Sequence, residues 1–222
     1  MPSEAEIDFL LETAADYLRR PPSRADILSV FAGIRPLVRS GETKETAALS
    51  RDHTIQIDAT GLVTIAGGKW TTYRQMAEDC IDLAAILAEL PERPCVTKSL
   101  NIHGFHENGE RFGDLAVYGS DALEIMDLIR ADPSLATPLD PRLPNVEAEV
   151  VWASRREMAR TVEDVLARRT RMLFLDARAA IAAAPRVAAL LRVELEKDES
   201  WESSQIEAFR TLAQGYLVEE RG

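Results

Sequence analysis

Cysteine and histidine are scarce in this chain, whose 222 residues include two cysteines and three histidines. Cys80 and Cys95 do not form a CxxC pair, which disfavours a zinc knuckle or a redox dithiol and indicates reduced thiols. The HxxH of His103 and His106 has no cysteine or carboxylate at ligand spacing, so no metal site is predicted. The sequence also lacks a P-loop, a Ser/His/Asp nucleophile elbow and the GxGxxG motif of dinucleotide-binding folds.

Long apolar runs and an excess of positive charge are also missing. No run approaches the ~18–20 apolar residues of a membrane span, and the N-terminus lacks a basic-then-apolar signal pattern. We therefore expect a cytoplasmic protein. A net charge of −11 argues against a nucleic-acid partner, because phosphates would be repelled. The contents of 46% hydrophobic and 28% charged residues are typical of a globular domain.

The most informative segment is residues 62–74, LVTIAGGKWTTYR. A short apolar strand is followed by a turn at Gly67 and Gly68 and then by a helix. Such a junction lets a ligand approach the backbone closely and directs free N–H groups and the positive end of a helix dipole toward it. The helix has a continuous apolar face, which we expect to pack inward. A purely structural strand–helix junction has the same pattern, so the spacing alone favours neither interpretation.

Periodicity and capping signals predict a largely helical chain with one hairpin. The predicted strands are residues 54–58 and 62–66, joined by a turn. The longer predicted helices are residues 4–19, 71–90, 121–131 and 147–168, and a short helix is predicted after Ser23. A helix at 177–183 follows a cap at Asp176, and the next helix has Pro185 in its first turn. The last predicted helix, 201–219, follows a cap at Ser200. The prolines of residues 91–94 indicate a domain boundary. The expected fold class is α+β and predominantly helical.

Three motifs in order carry a resemblance to a known family: AGIRPLV at 32–38, SRDHTI at 50–55 and TIAGGKWTTYRQMAED at 64–79. They closely resemble the FAD-dependent glycerol-3-phosphate dehydrogenases, which include the α-glycerophosphate oxidases. Residues 149–201 are similar to the C-terminal helical domain of that family. The resemblance implies that residues 1–92 are the α/β remnant of an FAD-dependent oxidoreductase domain and that residues 93–222 form the helical domain.

Two arginines are candidate substrate ligands. Arg35 lies between a glycine and a proline, where a stiff turn can hold a guanidinium toward a phosphate, although a surface ion pair is the simpler interpretation of the residue alone. The resemblance implies that Arg35 and Arg51 bind glycerol 3-phosphate, with Asp52 orienting Arg51. For His53 two interpretations stay open, a structural role and a place near the pocket, and the sequence favours the structural role at least equally.

The glycine junction is the candidate flavin site and contains the candidate catalytic residue. The resemblance implies that Gly67, Gly68, Trp70 and Thr71 offer backbone N–H groups to FAD. It implies that Lys69 stabilises negative charge on the reduced flavin or contacts the substrate hydroxyl. A lysine at a helix start is mildly unfavourable against the helix dipole, which independently supports a functional role for Lys69.

The resemblance covers nearly the whole chain but less than half of a full-length family member. We therefore expect a C-terminal part that holds no FAD and is inactive without an N-terminal FAD-binding part. The resemblance leaves quinone or oxygen as the electron acceptor, and it allows a peripheral position on the inner face of the cell membrane. The alternative is a stand-alone, non-catalytic helical module that binds a protein partner.

Overall fold

The structure is a computed structural model that describes residues 2–34 and 52–218. In this part of the chain the elements are α1 (Glu4–Ala15), β1 (His53–Ile57), β2 (Val63–Gly67), α2 (Tyr73–Leu87), α3 (Ala122–Ala131), α4 (Glu147–Arg156), α5 (Met172–Leu175), α6 (Ala177–Glu194) and α7 (Glu199–Gln214). The prediction of a predominantly helical α+β chain is confirmed. None of the described helices is both long and apolar enough to cross a membrane.

The chain divides into two compact units. The helical unit takes in Met1–Ala32 and Gly104–Gly222, and the strand–helix unit takes in Gly33–His103. This grouping differs from the predicted division into 1–92 and 93–222, because the N-terminal segment bonds to the C-terminal helices. The N–H of Val30 donates to the carbonyl of Tyr216 at 2.9 Å, and the N–H of Ala177 donates to the carbonyl of Leu28 at 3.0 Å.

The core of the helical unit is built around α6. This helix begins at the predicted cap, where the Asp176 carboxylate accepts a hydrogen bond from the Ala179 N–H at 2.8 Å. Its alanines are small enough to let α4, α5 and α7 approach closely. Fully buried side chains fill the space between the helices, among them Val150, Leu166, Met172, Leu191 and Phe209. Pro185 lies inside α6 and not in a first turn, so that boundary was predicted wrongly.

The helix predicted at 147–168 is broken. Helix α4 covers only its first ten residues, and Met158, inside the predicted range, has a φ of 60° and is 76% exposed. The reason is a competing cap further along the chain. The carboxylate of Asp164 accepts from the backbone N–H groups of Arg160 at 2.9 Å and Thr161 at 3.0 Å. A local side-chain acceptor thus restarts the helix after the break.

The strand–helix unit is small. Strands β1 and β2 pair antiparallel with His53 opposite Gly67 and Ile57 opposite Val63. The Asp58 carboxylate closes the hairpin by accepting from the N–H groups of Thr60 and Leu62. Helix α2 follows a single 3₁₀ turn, Trp70–Thr72. No residue between 52 and 103 is buried.

Candidate functional site

The junction between β2 and α2 requires its glycines. Gly67 and Gly68 have φ values of 78° and 81°, in the left-handed region where other residues are strained. A Cβ added to Gly68 would also collide with Sδ of Met76 and would lie 3.3 Å from Cβ of His53. The glycines therefore let the chain turn closely over the first part of α2, as the sequence predicts.

The backbone of Lys69 is hydrogen-bonded, and its side chain is exposed. Its backbone is extended, with φ −122° and ψ 151°. Its N–H donates to Oγ1 of Thr72 at 3.3 Å, and the Thr72 hydroxyl donates to the Lys69 carbonyl at 3.0 Å. The side chain is exposed, and no carboxylate of the described residues pairs with its ammonium. Among the described residues, the positive charge at this junction therefore has no carboxylate partner.

Two backbone donors accompany that ammonium. The N–H groups of Trp70 and Thr71 have no acceptor within the part of the chain that the structure describes. They open the first turn that leads into α2, where the helix dipole is positive. The N–H of Lys69 is engaged by Thr72 and is not available. The arrangement suits an electron-rich group that approaches the start of the helix.

The apolar face of α2 does not pack inward within the described residues. Trp70 stacks on Tyr73 with ring centroids 5.7 Å apart, yet the two residues are 87% and 53% exposed. Ile81 is 66% exposed, and α2 has no buried residue. A two-stranded hairpin offers too little surface to cover a 15-residue helix.

A close contact between a histidine and a carboxylate connects β1 to α2 beside the junction. Nε2 of His53 lies 3.0 Å from Oδ2 of Asp79, and the other oxygen of Asp79 accepts from Nε2 of Gln75 at 2.6 Å. This geometry supports the structural interpretation of His53. The sequence analysis did not single out Asp79, although it lies within the third motif.

A cleft of about 490 Å³ lies between α2 and residues 93–102. Its floor is mostly apolar, with Tyr73, Ala77, Ile81, Val96, Leu100 and Ile102 among the lining residues. At its edge Arg74 lies 2.5 Å from Oε2 of Glu78 and donates to Oγ1 of Thr97 at 3.2 Å. The Arg74 guanidinium holds the pKa of the Glu78 carboxyl below its usual value. The sequence predicted a domain boundary at residues 91–94 and gave no indication of this cleft.

The remaining candidates are placed as follows. Arg35 and Arg51 lie outside the described residues, so the substrate half of the predicted site stays a prediction. His106 accepts a hydrogen bond from the Asn108 N–H at Nδ1, 3.1 Å away. Within residues 2–34 and 52–218, no three His, Cys, Asp or Glu side chains form a group that could hold a metal ion.

The buried carboxylates of the helical unit are paired and structural. Glu149 accepts from the Tyr118 hydroxyl at 2.9 Å, from the amide of Asn145 at 3.0 Å and from the N–H of Val146 at 2.6 Å. Burial raises the pKa of the Glu149 carboxyl. Three donors on one carboxylate at the start of α4 anchor that helix and leave little capacity for a ligand.

Comparison with known proteins places the chain in a family. The model of the C-terminal domain of alpha-glycerophosphate oxidase matches residues 60–202. The mitochondrial glycerol-3-phosphate dehydrogenase of Mesocricetus auratus is 35% identical in an alignment that covers 93% of this chain and 31% of that protein. The mitochondrial glycerol-3-phosphate dehydrogenase SDP6 of Arabidopsis thaliana is 36% identical in an alignment that covers 93% of this chain and 38% of that protein.

A solved structure has the same fold. The glycerol-3-phosphate dehydrogenase of Bacillus halodurans, solved in complex with FAD, aligns with a TM-score of 0.72 and 22% identity over 100% of this chain and 47% of its own. The chain thus spans about a third of the length of the curated relatives it matches. The resemblance carried by the three motifs is confirmed. Because the family model covers more than half of its residues, this chain belongs to the family of the C-terminal domain of alpha-glycerophosphate oxidase.

Proposed function

We propose that this chain is the C-terminal part of an FAD-dependent sn-glycerol-3-phosphate dehydrogenase and that its glycine junction faces the flavin. The observation that carries the proposal is the junction itself, in a chain of this family. The ammonium of Lys69 and the N–H groups of Trp70 and Thr71, which have no partner among the described residues, lie together at the start of a helix. These groups fit the electron-rich edge of a flavin ring.

In this reaction hydride leaves C2 of glycerol 3-phosphate, the C2 hydroxyl loses its proton to a base, and dihydroxyacetone phosphate is formed; accepting the hydride at N5 is the chemistry that the flavin would supply when bound. The N–H groups of Trp70 and Thr71 would donate hydrogen bonds to the ring. The Lys69 ammonium would stabilise negative charge on the ring or at the substrate hydroxyl. Arg35 and Arg51, as predicted from the sequence, hold the substrate phosphate through charge-assisted hydrogen bonds.

A second polypeptide segment is needed to hold the cofactor. A dinucleotide requires its pyrophosphate at a glycine-rich strand–helix turn, and the GxGxxG motif is absent from the sequence. One helix start and one lysine supply a few kcal/mol at most, against association costs of roughly 4 kcal/mol or more. The exposed apolar face of α2 supports the same proposal, because an N-terminal FAD-binding part would cover it.

Titration with FAD tests this proposal. The purified chain should be colourless and should leave flavin fluorescence nearly unchanged. Supplying the FAD-binding part should give a yellow protein whose colour is bleached by glycerol 3-phosphate. Stoichiometric flavin on the chain alone would contradict the proposal, and so would a complete protein that binds FAD but is not bleached by this substrate.

A non-catalytic helical module is the second candidate, and the exposed apolar residues of α2 favour it as well because any protein partner could cover them. The genomic context discriminates between the two: an adjacent reading frame that encodes GxGxxG supports the enzyme, and its absence supports the module. The electron acceptor, quinone or oxygen, and the location, cytoplasmic or peripheral on the inner membrane face, stay predictions of the sequence.

A further inference from the structure

We propose that Thr72 is a positioning residue: its hydroxyl fixes the backbone of Lys69 and thereby the direction in which the ammonium leaves the chain. The inference rests on the proposed function, since it assigns a role in that same site. It names a residue to which the sequence analysis gave no role.

The geometry is a clamp of two side-chain bonds on one residue. Oγ1 of Thr72 accepts from the Lys69 N–H at 3.3 Å and donates to the Lys69 carbonyl at 3.0 Å. The N–H of Thr72 donates to the same carbonyl at 3.0 Å. Both peptide groups that flank the Lys69 Cα are therefore held, and the direction of its Cα–Cβ bond is set.

Little else in the described part of the chain restrains Lys69. It follows Gly67 and Gly68, whose positive φ values lie where only glycine moves freely. Its side chain is exposed and forms no ion pair with a described residue. The Lys69 ammonium is separated from Cα by four carbon atoms, so a small rotation of the backbone moves it far. Loss of the clamp would therefore let the ammonium occupy many positions.

The clamp also selects the backbone donors. Because the Lys69 N–H is engaged by Thr72, the free donors of the first turn are those of Trp70 and Thr71. Without the hydroxyl, a third N–H would compete for the ligand. Thr72 thus determines the position of one charge and the choice of two hydrogen-bond donors at the same junction.

The first test does not depend on activity and uses the complete protein without flavin, this chain together with its FAD-binding part, because the strand–helix unit is expected to open readily on its own. Amide exchange measured by NMR should be slower at Lys69 than at Trp70 and Thr71, by about two- to tenfold. Thr72→Val, which keeps the side-chain shape, should abolish the difference, and Thr72→Ser should retain it. Thr64→Val is the matched control, since Thr64 is exposed on β2 and bonds to none of these groups. Equal exchange at Lys69 in the wild type and Thr72→Val would overturn the proposal.

The second test uses the complete enzyme, this chain together with its FAD-binding part. Thr72→Val should lower kcat by about ten- to a hundredfold with little change in KM. The reason is that a displaced ammonium no longer stabilises the transition state, whereas it contributes little to substrate binding. Thr72→Ser should restore most of the rate, and Thr64→Val should leave it unchanged.

A double-mutant cycle separates positioning from simple support of the helix. In a Lys69→Met background, Thr72→Val should have no further effect on kcat, because the hydroxyl acts through the missing ammonium. An additional loss of the same size in that background would mean that Thr72 is only structural. A wild-type complete enzyme that binds FAD but does not oxidise glycerol 3-phosphate would overturn the proposed function and, with it, the role of Thr72.

Discussion

The two units of this chain differ in one respect that decides how each can act: the helical unit closes a core, and the described residues of the strand–helix unit do not. In α6 eight residues are buried, and Leu191 is fully inaccessible. In α2 none is buried, and Ile81 and Ile86 are 66% and 73% exposed. Both helices are amphipathic and of similar length.

An apolar helix face forms a core only where a second apolar surface covers it. Helix α6 lies among α4, α5 and α7, whose own apolar stripes complement it. Among the described strands and helices, α2 contacts only the hairpin and its adjoining turn, a marginal packing surface. The described residues of the strand–helix unit offer no larger surface to cover α2, and this is the physical basis for proposing an FAD-binding part that covers it.

The same substitution in the two units should therefore have very different effects. Ile125→Ala removes a fully buried side chain that packs against Ala148 and Trp152, and we expect a loss of about 2–5 kcal/mol in unfolding free energy. Ile86→Ala, at a position 73% exposed, should cost about 0.5 kcal/mol or less. Urea unfolding followed by circular dichroism measures both, and equal losses would remove the distinction between the units.

Ion pairs should show the same dependence on burial. Arg186 holds the buried Glu147 through two hydrogen bonds of 2.6 Å. Arg186→Ala leaves that buried carboxylate without its partner, and we expect the free energy of unfolding to fall by about 1–3 kcal/mol. This is less than for a fully buried pair, because the arginine side chain is half exposed. The matched change is Arg130→Ala, whose pair with Asp127 is exposed and should contribute about 0.5 kcal/mol or less. A larger loss for Arg130→Ala in thermal or urea unfolding would contradict this account.

The smallest expected effect is on the pH dependence of the helical unit. Hydrogen bonds from Arg142 hold the pKa of the buried Asp140 below its ordinary value of 3.8. A lowered folded pKa means that the stabilisation is present above 3.8 and is lost as the pH falls through the folded value. The stability gap between wild type and Asp140→Asn should therefore narrow below that pH. A gap that stays constant from neutral to acid pH in urea unfolding would contradict the assignment.

Local signals predicted the elements whose determinants are adjacent in sequence. The hairpin lies within one residue of its predicted bounds, and the Asp176 cap is confirmed by its bond to the Ala179 N–H. Prediction was wrong where two local signals compete. Asp198 and not Ser200 caps α7, since both residues can accept a bond there and the carboxylate accepts from the Trp201 N–H at 2.8 Å.

The sequence predicted the glycine turn of the candidate site but not the hydrogen bonds within it. Gly67 and Gly68 have the positive φ values that the motif implies. The engagement of Lys69 by Thr72 could not be predicted, because it depends on the turn geometry and not on residue type. The packing of residues 2–32 with the helical unit was also missed, since backbone groups such as the N–H of Val30 make those bonds.

Hydrogen exchange on the isolated chain tests the contrast between the two units most directly. Fast exchange is expected over residues 52–103 but not over the N-terminal segment, because that segment is bonded to the helical unit. We predict that the amides of α2 exchange about a thousandfold or more faster than those of α6, which open only with the whole core. Protection in α2 equal to that in α6 would contradict the account, because it would mean that the strand–helix unit closes a core without a partner.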